Sequence, residues 1–201
     1  MTDRPLPSPF HRRREAVRGR LPGLGVDALL VQTGENRFYL SGFSGEDGQC
    51  DESAGVVLLA RDRTILATDS RYETQAAEET SGVEVVRYPR GWAYDLPRIV
   101  DGLSIERLGF ESARMSVLQH DRLVRRLREA GSGVELVPVD GAVEGVRERK
   151  DPEEVAALRR AVAAAEAAFA ALLPAVAAGM TEAEVAWALE RRLREAGARG
   201  P

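Results

Sequence analysis

Two apolar runs separated by three polar residues set the first limit on what this chain can fold into. Gly55-Val56-Val57-Leu58-Leu59-Ala60 and Thr64-Ile65-Leu66-Ala67-Thr68 are each of strand length, and Arg61-Asp62-Arg63 between them has room only for a tight turn. Together they predict a β-hairpin. Parallel neighbours need a crossover of about a dozen residues or more, so the hairpin excludes an all-parallel sheet.

Elsewhere strand-length runs alternate with helical patterns. Residues 10–20 predict a basic opening helix that ends near Pro22-Gly23, and Val26 to Val31 predicts a strand. Ser70 with Glu73 has capping-box spacing and predicts a helix through Glu79. Strands are expected at Val83–Val86, Leu108–Phe110 and Val134–Val137, and a short helix at Asp95–Val100. Val117–Ala130 predicts an amphipathic helix stopped at Gly131. The alternation indicates an α/β domain with a mixed sheet.

Residues 138–150 change character, being turn-like and then charged, and read as a linker. Asp151-Pro152-Glu153-Glu154 is a strong helix start, with Asp at the N-cap and Pro at the first position. Val155, Leu158, Val162, Ala165, Phe169, Leu172 and Val176 then define one apolar face. Pro174 is expected to kink or end the last turn. Thr181 with Glu184 opens a second capped helix, with Val185, Leu189 and Leu193 on one side. This helix pair carries more apolar surface than the chain around it can cover. Self-association through that face is therefore expected, and the chain reads as the front portion of a longer enzyme.

Composition narrows the function classes. The 201 residues fit one ordinary domain and a small appendage. A single cysteine, Cys50, excludes an intramolecular disulfide framework and suits a reducing, cytoplasmic setting; its acidic neighbours would oppose a thiolate. No apolar run reaches the roughly 18 residues of a membrane span, and the Pro-rich start lacks the apolar core of a secretory signal. A net charge of −4 gives no reason to expect a nucleic-acid partner.

Several short patterns have plain structural readings. Gly23-Leu24-Gly25-Val26-Asp27-Ala28 matches a dinucleotide-binding pattern but follows a helix and opens a strand, the reverse of what phosphate binding needs. Glu46, Asp47, Asp51 and Glu52 lack calcium-loop spacing. His11 and His120 read as surface histidines, and the arginine clusters at 12–14, 122–128 and 191–194 as solvated faces. Asp69-Ser70-Arg71-Tyr72 is different, because it lies where a strand ends and a helix begins, a habitual place for binding residues. Asp69 has two readings there, as a binding residue or as a local partner of Arg71 and the helix.

Taken in order, the motifs resemble one family. Asn36-Arg37-Phe38-Tyr39-Leu40-Ser41-Gly42-Phe43 resembles the Asn, Tyr, Gly and Phe signature early in Xaa-Pro aminopeptidases and prolidases. Asp69 to Ala76 resembles their D-x-R-Y-x-x-Q-A segment, and Leu108-Gly109-Phe110-Glu111 their L-G-x-E. Val146 to Arg160, with Lys150, Glu154 and Arg159, resembles the linker and first catalytic-domain helix, and Gly179-Met180-Thr181-Glu182 a G-x-T-E turn.

The resemblance implies a creatinase-like N-terminal domain over residues 1–145, α/β with a mixed sheet flanked by helices. It implies that residues 146–201 are the linker and first two helices of an incomplete pita-bread catalytic domain. In the family that domain holds two divalent metals (Mn, Co or Zn) on Asp, His and Glu ligands, and a bridging hydroxide attacks the Xaa-Pro bond. After Lys150 this chain has no His, and Asp151 is its only Asp. No catalytic or metal residue is carried over, no cofactor is expected in this stretch, and the ligands are expected beyond Pro201. The family's N-terminal domains form dimers and wall the partner's active site, which implies a homodimer and gives a pocket or dimer role to Asp69, Arg71 and Tyr72. Trp92, in the Arg90-Gly91-Trp92 loop, is added to that set. Two other parents fit the same front half: a creatinase-type amidinohydrolase, and a non-catalytic pseudo-peptidase that binds proteins or peptides.

Overall fold

A computed structural model describes residues 8–48 and 53–198; Cys50, Asp51 and Glu52 lie outside the described residues. The chain divides into two compact units, Met1–Glu148 and Arg149–Pro201. The first is built on six strands: β1 (Ala28–Val31), β2 (Val56–Ala60), β3 (Thr64–Thr68), β4 (Glu84–Arg87), β5 (Arg107–Glu111) and β6 (Glu135–Val139). They form one sheet in the order β4-β3-β2-β1-β5-β6. The hairpin expected at Arg61–Arg63 joins β2 to β3, with Leu58 opposite Ile65 and Leu59 opposite Thr64. β2 is also antiparallel to β1, and every other pairing is parallel. β2 is thus the one strand that runs against the rest.

Period-two alternation sorts the central strands onto two cores. Ala28, Leu30, Val56, Leu58, Ile65 and Ala67 face one way, and Leu29, Val31, Val57, Leu59 and Leu66 face the other. With both faces covered, the strands read as near-continuous apolar runs. Helices α1 (Pro9–Arg18), α2 (Gly34–Ser41) and α3 (Glu73–Glu79) supply Val17, Leu40 and Ala76 to the second face. Helices α4 (Trp92–Val100) and α5 (Val117–Glu129) supply Trp92, Leu96, Leu123 and Leu127 to the first. A short helix, α6 (Glu144–Arg147), ends the unit.

Two motif segments meet in a buried polar cluster. The Glu111 carboxylate, at the end of β5, accepts from Gln32 N at 2.6 Å, Thr33 N at 2.8 Å, Thr33 Oγ1 at 3.0 Å and Asn36 Nδ2 at 2.6 Å. It therefore satisfies backbone donors where β1 leads into α2, a position the helix dipole also favours for an anion. Asn36 donates a second bond to Glu144 at 2.6 Å and accepts from Arg147 at 2.7 Å. Only an amide can donate to two carboxylates and accept from a guanidinium at once. At the next position of α2, Arg37 is wholly buried. It donates to Gly45 O at 2.6 Å and Gly55 O at 2.8 Å and pairs with Asp47 at 3.1 Å, pinning the loop that leads into β2. Gly42 closes α2 at φ 84°, and a Cβ there would lie 2.9 Å from the Phe10 ring.

The structure departs from sequence expectation at five places. The Asn36 signature, assigned no element from its pattern, is the helix α2. The Ser70–Glu73 capping box does not form: α3 begins at Glu73, its N-cap is Tyr72, and no side chain caps it. Asp69 organises that turn instead, accepting from Arg71 N at 2.8 Å while its carbonyl accepts from Tyr72 N at 3.2 Å. Helix α4 starts three residues early, at Trp92, because the buried Asp95 side chain reaches back to Arg90 N at 3.1 Å. Finally, residues 138–150 are not a plain linker. β6 runs through Pro138, tolerated on an edge strand, and α6 follows, held by Asn36. Arg14, read as solvated, is buried and donates to Leu40 O at 3.0 Å and Ser81 O at 3.1 Å.

The second unit is a helix pair, α7 (Pro152–Leu172) and α8 (Glu182–Glu195). Both capping boxes form, Asp151 with Glu154 and Thr181 with Glu184. Pro174 lies in a 3₁₀ turn that ends the first helix, as expected. Leu158, Val162, Phe169, Leu173, Val176 and Trp187 are exposed, while Ala168 and Leu172 are buried. No helix among the described residues is long and apolar enough to cross a membrane.

Two measurements check this account. Asn36→Asp removes two donors and sets a third carboxylate beside Glu111 and Glu144. Urea unfolding is expected to show a loss of about 3 kcal/mol or more; an unchanged midpoint would contradict the cluster's role. Tyr88, just past β4, is buried and donates to Ser53 O at 3.1 Å. Burial, aided by the nearby Asp69 charge, pushes its phenol up to about 12. An unfolded phenol ionises near 10. Its stabilising contribution is therefore whole below about pH 10 and is lost as pH rises from there through about 12. Stability should fall more steeply across that window in the native chain than in Tyr88→Phe; equal slopes would refute the assignment.

Candidate functional site

Because β2 alone is reversed, the carboxyl ends of β1, β3, β4, β5 and β6 share one edge of the sheet. Crevices outside such an edge are the usual ligand sites of open α/β sheets. Here the segments after β3 and β4, with the N-terminal part of α4 and one side of α5, enclose a cleft of about 670 Å³.

The cleft brings together three of the four residues singled out from sequence: Asp69, Arg71 and Trp92 all line it. Tyr72 does not. Its side chain packs toward the opposite core, with its ring edge-on to Phe43 at 6.0 Å and its hydroxyl 3.3 Å from Glu46 O. Adjacent residues on this turn thus serve opposite sides of the sheet. Trp92 is the first residue of α4, after Gly91 at φ 100°, and packs into the first core while lining the cleft.

Asp69 is held by its neighbour. Arg71 Nε lies 3.1 Å from Oδ1, and its terminal nitrogen 2.9 Å from Oδ2. The Arg71 guanidinium keeps the Asp69 carboxyl below its ordinary range, against a smaller opposing effect of burial. Asp69 is therefore an ionised, paired carboxylate, unsuited to accept a proton near neutral pH. The local-partner reading of Asp69 describes its geometry; its position on the cleft wall leaves Arg71 presented to whatever enters.

Sequence reading missed the rest of the wall. Arg90, Arg122, Arg125 and Arg126 line the cleft with Arg71, against the carboxylates Asp69 and Glu129. Arg90 and Arg126 lie over the Tyr94 ring, 3.8 and 4.1 Å from its centroid. The signal was the Arg122–Arg128 cluster, whose helical spacing puts Arg122, Arg125 and Arg126 near one side of α5 while the buried Leu123 and Leu127 face the core. A groove of about 1130 Å³ adjoins the cleft and shares Arg90, Tyr94, Arg126 and Glu129; its remaining wall comes from α4, the loop after it, and the segments that lead into β5 and β6.

The other sequence candidates resolve into structure. Gly23 and Gly25 belong to a 3₁₀ turn before β1, with no helix N-terminus following. Asp47 is engaged by Arg37 and by Ala54 N at 2.8 Å. His120 rests against Phe110 at 5.5 Å and Asp121 at 3.4 Å. Among the described residues no group of three or more His, Cys, Asp or Glu side chains could hold a metal ion, so they do not fit a two-metal centre.

Comparison with known proteins agrees with the motifs. Residues 13–149 match the model of the creatinase/prolidase N-terminal domain. The chain is 32% identical over 184 residues to the uncharacterized peptidase YqhT of Bacillus subtilis (strain 168), covering 92% of this chain and 49% of that one. An Xaa-Pro dipeptidase from Bacillus anthracis superposes with a TM-score of 0.84 at 30% identity, covering 95% of this chain and 50% of that one. The N-terminal domain of the cytoplasmic peptidase PepQ from Mycobacterium tuberculosis H37Rv is 34% identical with a TM-score of 0.58, covering 67% of this chain and 98% of that domain. The chain thus spans about half the length of the first two relatives. On the match along residues 13–149, it belongs to the creatinase/prolidase N-terminal domain family.

Proposed function

We propose that this chain is the N-terminal, dimer-forming and pocket-walling portion of a cytoplasmic proline-specific metallopeptidase that cleaves Xaa-Pro bonds. The observation that carries the reading is the joint one of family and extent: the domain match with relatives named as peptidases, each about twice as long. The cytoplasmic setting draws on the relative described by that word.

In this reading the two divalent ions, Mn, Co or Zn, are held by the other half of the longer parent and activate the attacking water. The present residues bind and shape rather than react. Asp69 fixes Arg71, Trp92 stiffens the cleft wall, and the assembled cleft forms one side of a peptide pocket contributed to a second copy. Tyr72 serves by bracing the turn from the opposite side, through Phe43.

The 201-residue chain alone is expected to hold no stoichiometric Mn, Co or Zn and to release no product from Xaa-Pro peptides. Elemental analysis and a cleavage assay on the purified chain check this, and turnover with tightly held metal would overturn the division of labour. Self-association is expected through the exposed apolar residues of the helix pair, among them Val162, Phe169 and Trp187. Light scattering should give more than a monomer mass, lowered by Val162→Asp/Phe169→Asp; a strict monomer at high concentration would count against it.

A further inference from the structure

We infer that the arginine-lined cleft is a carboxylate-binding site whose ligand is a short peptide, held by Arg122 and Arg125 of α5 against Trp92. The choice of a peptide rests on the peptidase reading; the choice of a carboxylate rests on the cleft itself.

The chain as a whole carries a net charge of −4, yet this wall sets five arginines against two carboxylates. Those carboxylates are taken. Asp69 is chelated by Arg71, and Glu129 accepts from Arg126 at 2.9 Å. Arg90 is paired with the buried Asp95 at 3.3 Å. Arg122 and Arg125, three residues apart on α5, have no hydrogen-bond or ion-pair partner among the described residues.

Like charges gathered in one concavity repel, and an entering anion relieves that repulsion. With Arg71, Arg90 and Arg126 engaged by carboxylates, Arg122 and Arg125 are the two whose planar forks of N–H donors are not used by a carboxylate. That planar fork matches a carboxylate in a two-bond arrangement. Trp92 and Tyr88 give the same cleft an apolar wall, which suits a ligand with a carboxylate at one end and side chains behind it. A cleft of about 670 Å³ is within the size range of small-molecule and peptide sites.

Trp187→Phe in the full chain leaves Trp92 as the sole tryptophan, so fluorescence titration reports on the cleft. The probes are N-acetyl-alanyl-leucine, its C-terminal amide, and inorganic phosphate. The free acid is expected to bind about tenfold or more tightly than the amide, with an affinity that falls as salt rises. Arg122→Ala/Arg125→Ala should weaken the free acid by about tenfold or more. Arg114→Ala, an exposed arginine outside the cleft, should leave it unchanged. Circular dichroism checks that each variant is folded; these arginines are exposed, so the fold is expected to survive. Equal binding of acid and amide, no saturable signal, or equal weakening by Arg114→Ala would overturn the site. Phosphate binding tighter than the acid would overturn the peptide assignment in favour of a phosphoryl ligand. None of these outcomes involves cleavage, so a failure here leaves the peptidase reading to its own metal and turnover assays.

Discussion

The carboxylate of Glu111 is the contact on which the first unit's layout depends. It sits at the end of β5, beside β1, and accepts from two backbone amides, a hydroxyl and the Asn36 amide. A buried anion is stable here because four donors satisfy it, three at Oε2 and one at Oε1. Remove any partner and a charge or a backbone N–H is stranded. Through Asn36 the same cluster reaches Glu144 and Arg147, so one side chain couples β5, the start of α2 and the last helix of the unit. Arg37, on the next position of α2, extends the control to the loop before β2.

Two motifs far apart in sequence therefore meet in space. The Asn36 segment and the Leu108-Gly109-Phe110-Glu111 segment are two halves of one polar cluster. Gly109 serves the apolar core beside it: a Cβ there would approach Val139 to 3.0 Å, where β5 and β6 lie side by side. Their roles are architectural. The residues that line the cleft come instead from the turns after β3 and β4 and from α5, which lie outside that cluster.

The sheet was legible because its strands carry strong local signals. Strand-length runs rich in apolar residues located β1 to β6 within a few residues, and the three-residue hairpin turn excluded an all-parallel sheet. Both capping boxes of the helix pair were equally local. Helix α2 was not legible, because its polar residues point inward: Asn36 and Arg37 are buried by long-range bonds to β5 and the β2 loop, contacts that no window of neighbours contains. The failed box at Ser70 has a local cause: Asp69 competes for the same turn and wins through Arg71. In the site, Asp69, Arg71 and Trp92 were reachable from their junction position and Gly-containing loop. Arg122 and Arg125 looked like an ordinary solvated helix face until the fold set them in one cleft with Trp92.

The reversed strand links the polar cluster to the cleft. With β2 running against the others, Ser53, just ahead of β2, reaches the edge where β3 and β4 end, and Tyr88 bonds its carbonyl there. The loop pinned by Arg37 from below is therefore tied to the cleft wall from above. A cationic concavity needs such bracing, because mutual repulsion would otherwise spread its arginines into solvent. Carboxylates fix three of them, at Asp69, Asp95 and Glu129, and Tyr94 lies under two of these same three. What remains is two arginines on a rigid helix, facing a wall that the rest of the unit holds still. In that arrangement the backbone is already fixed when an anion arrives, and only the two arginine side chains have freedom left to lose.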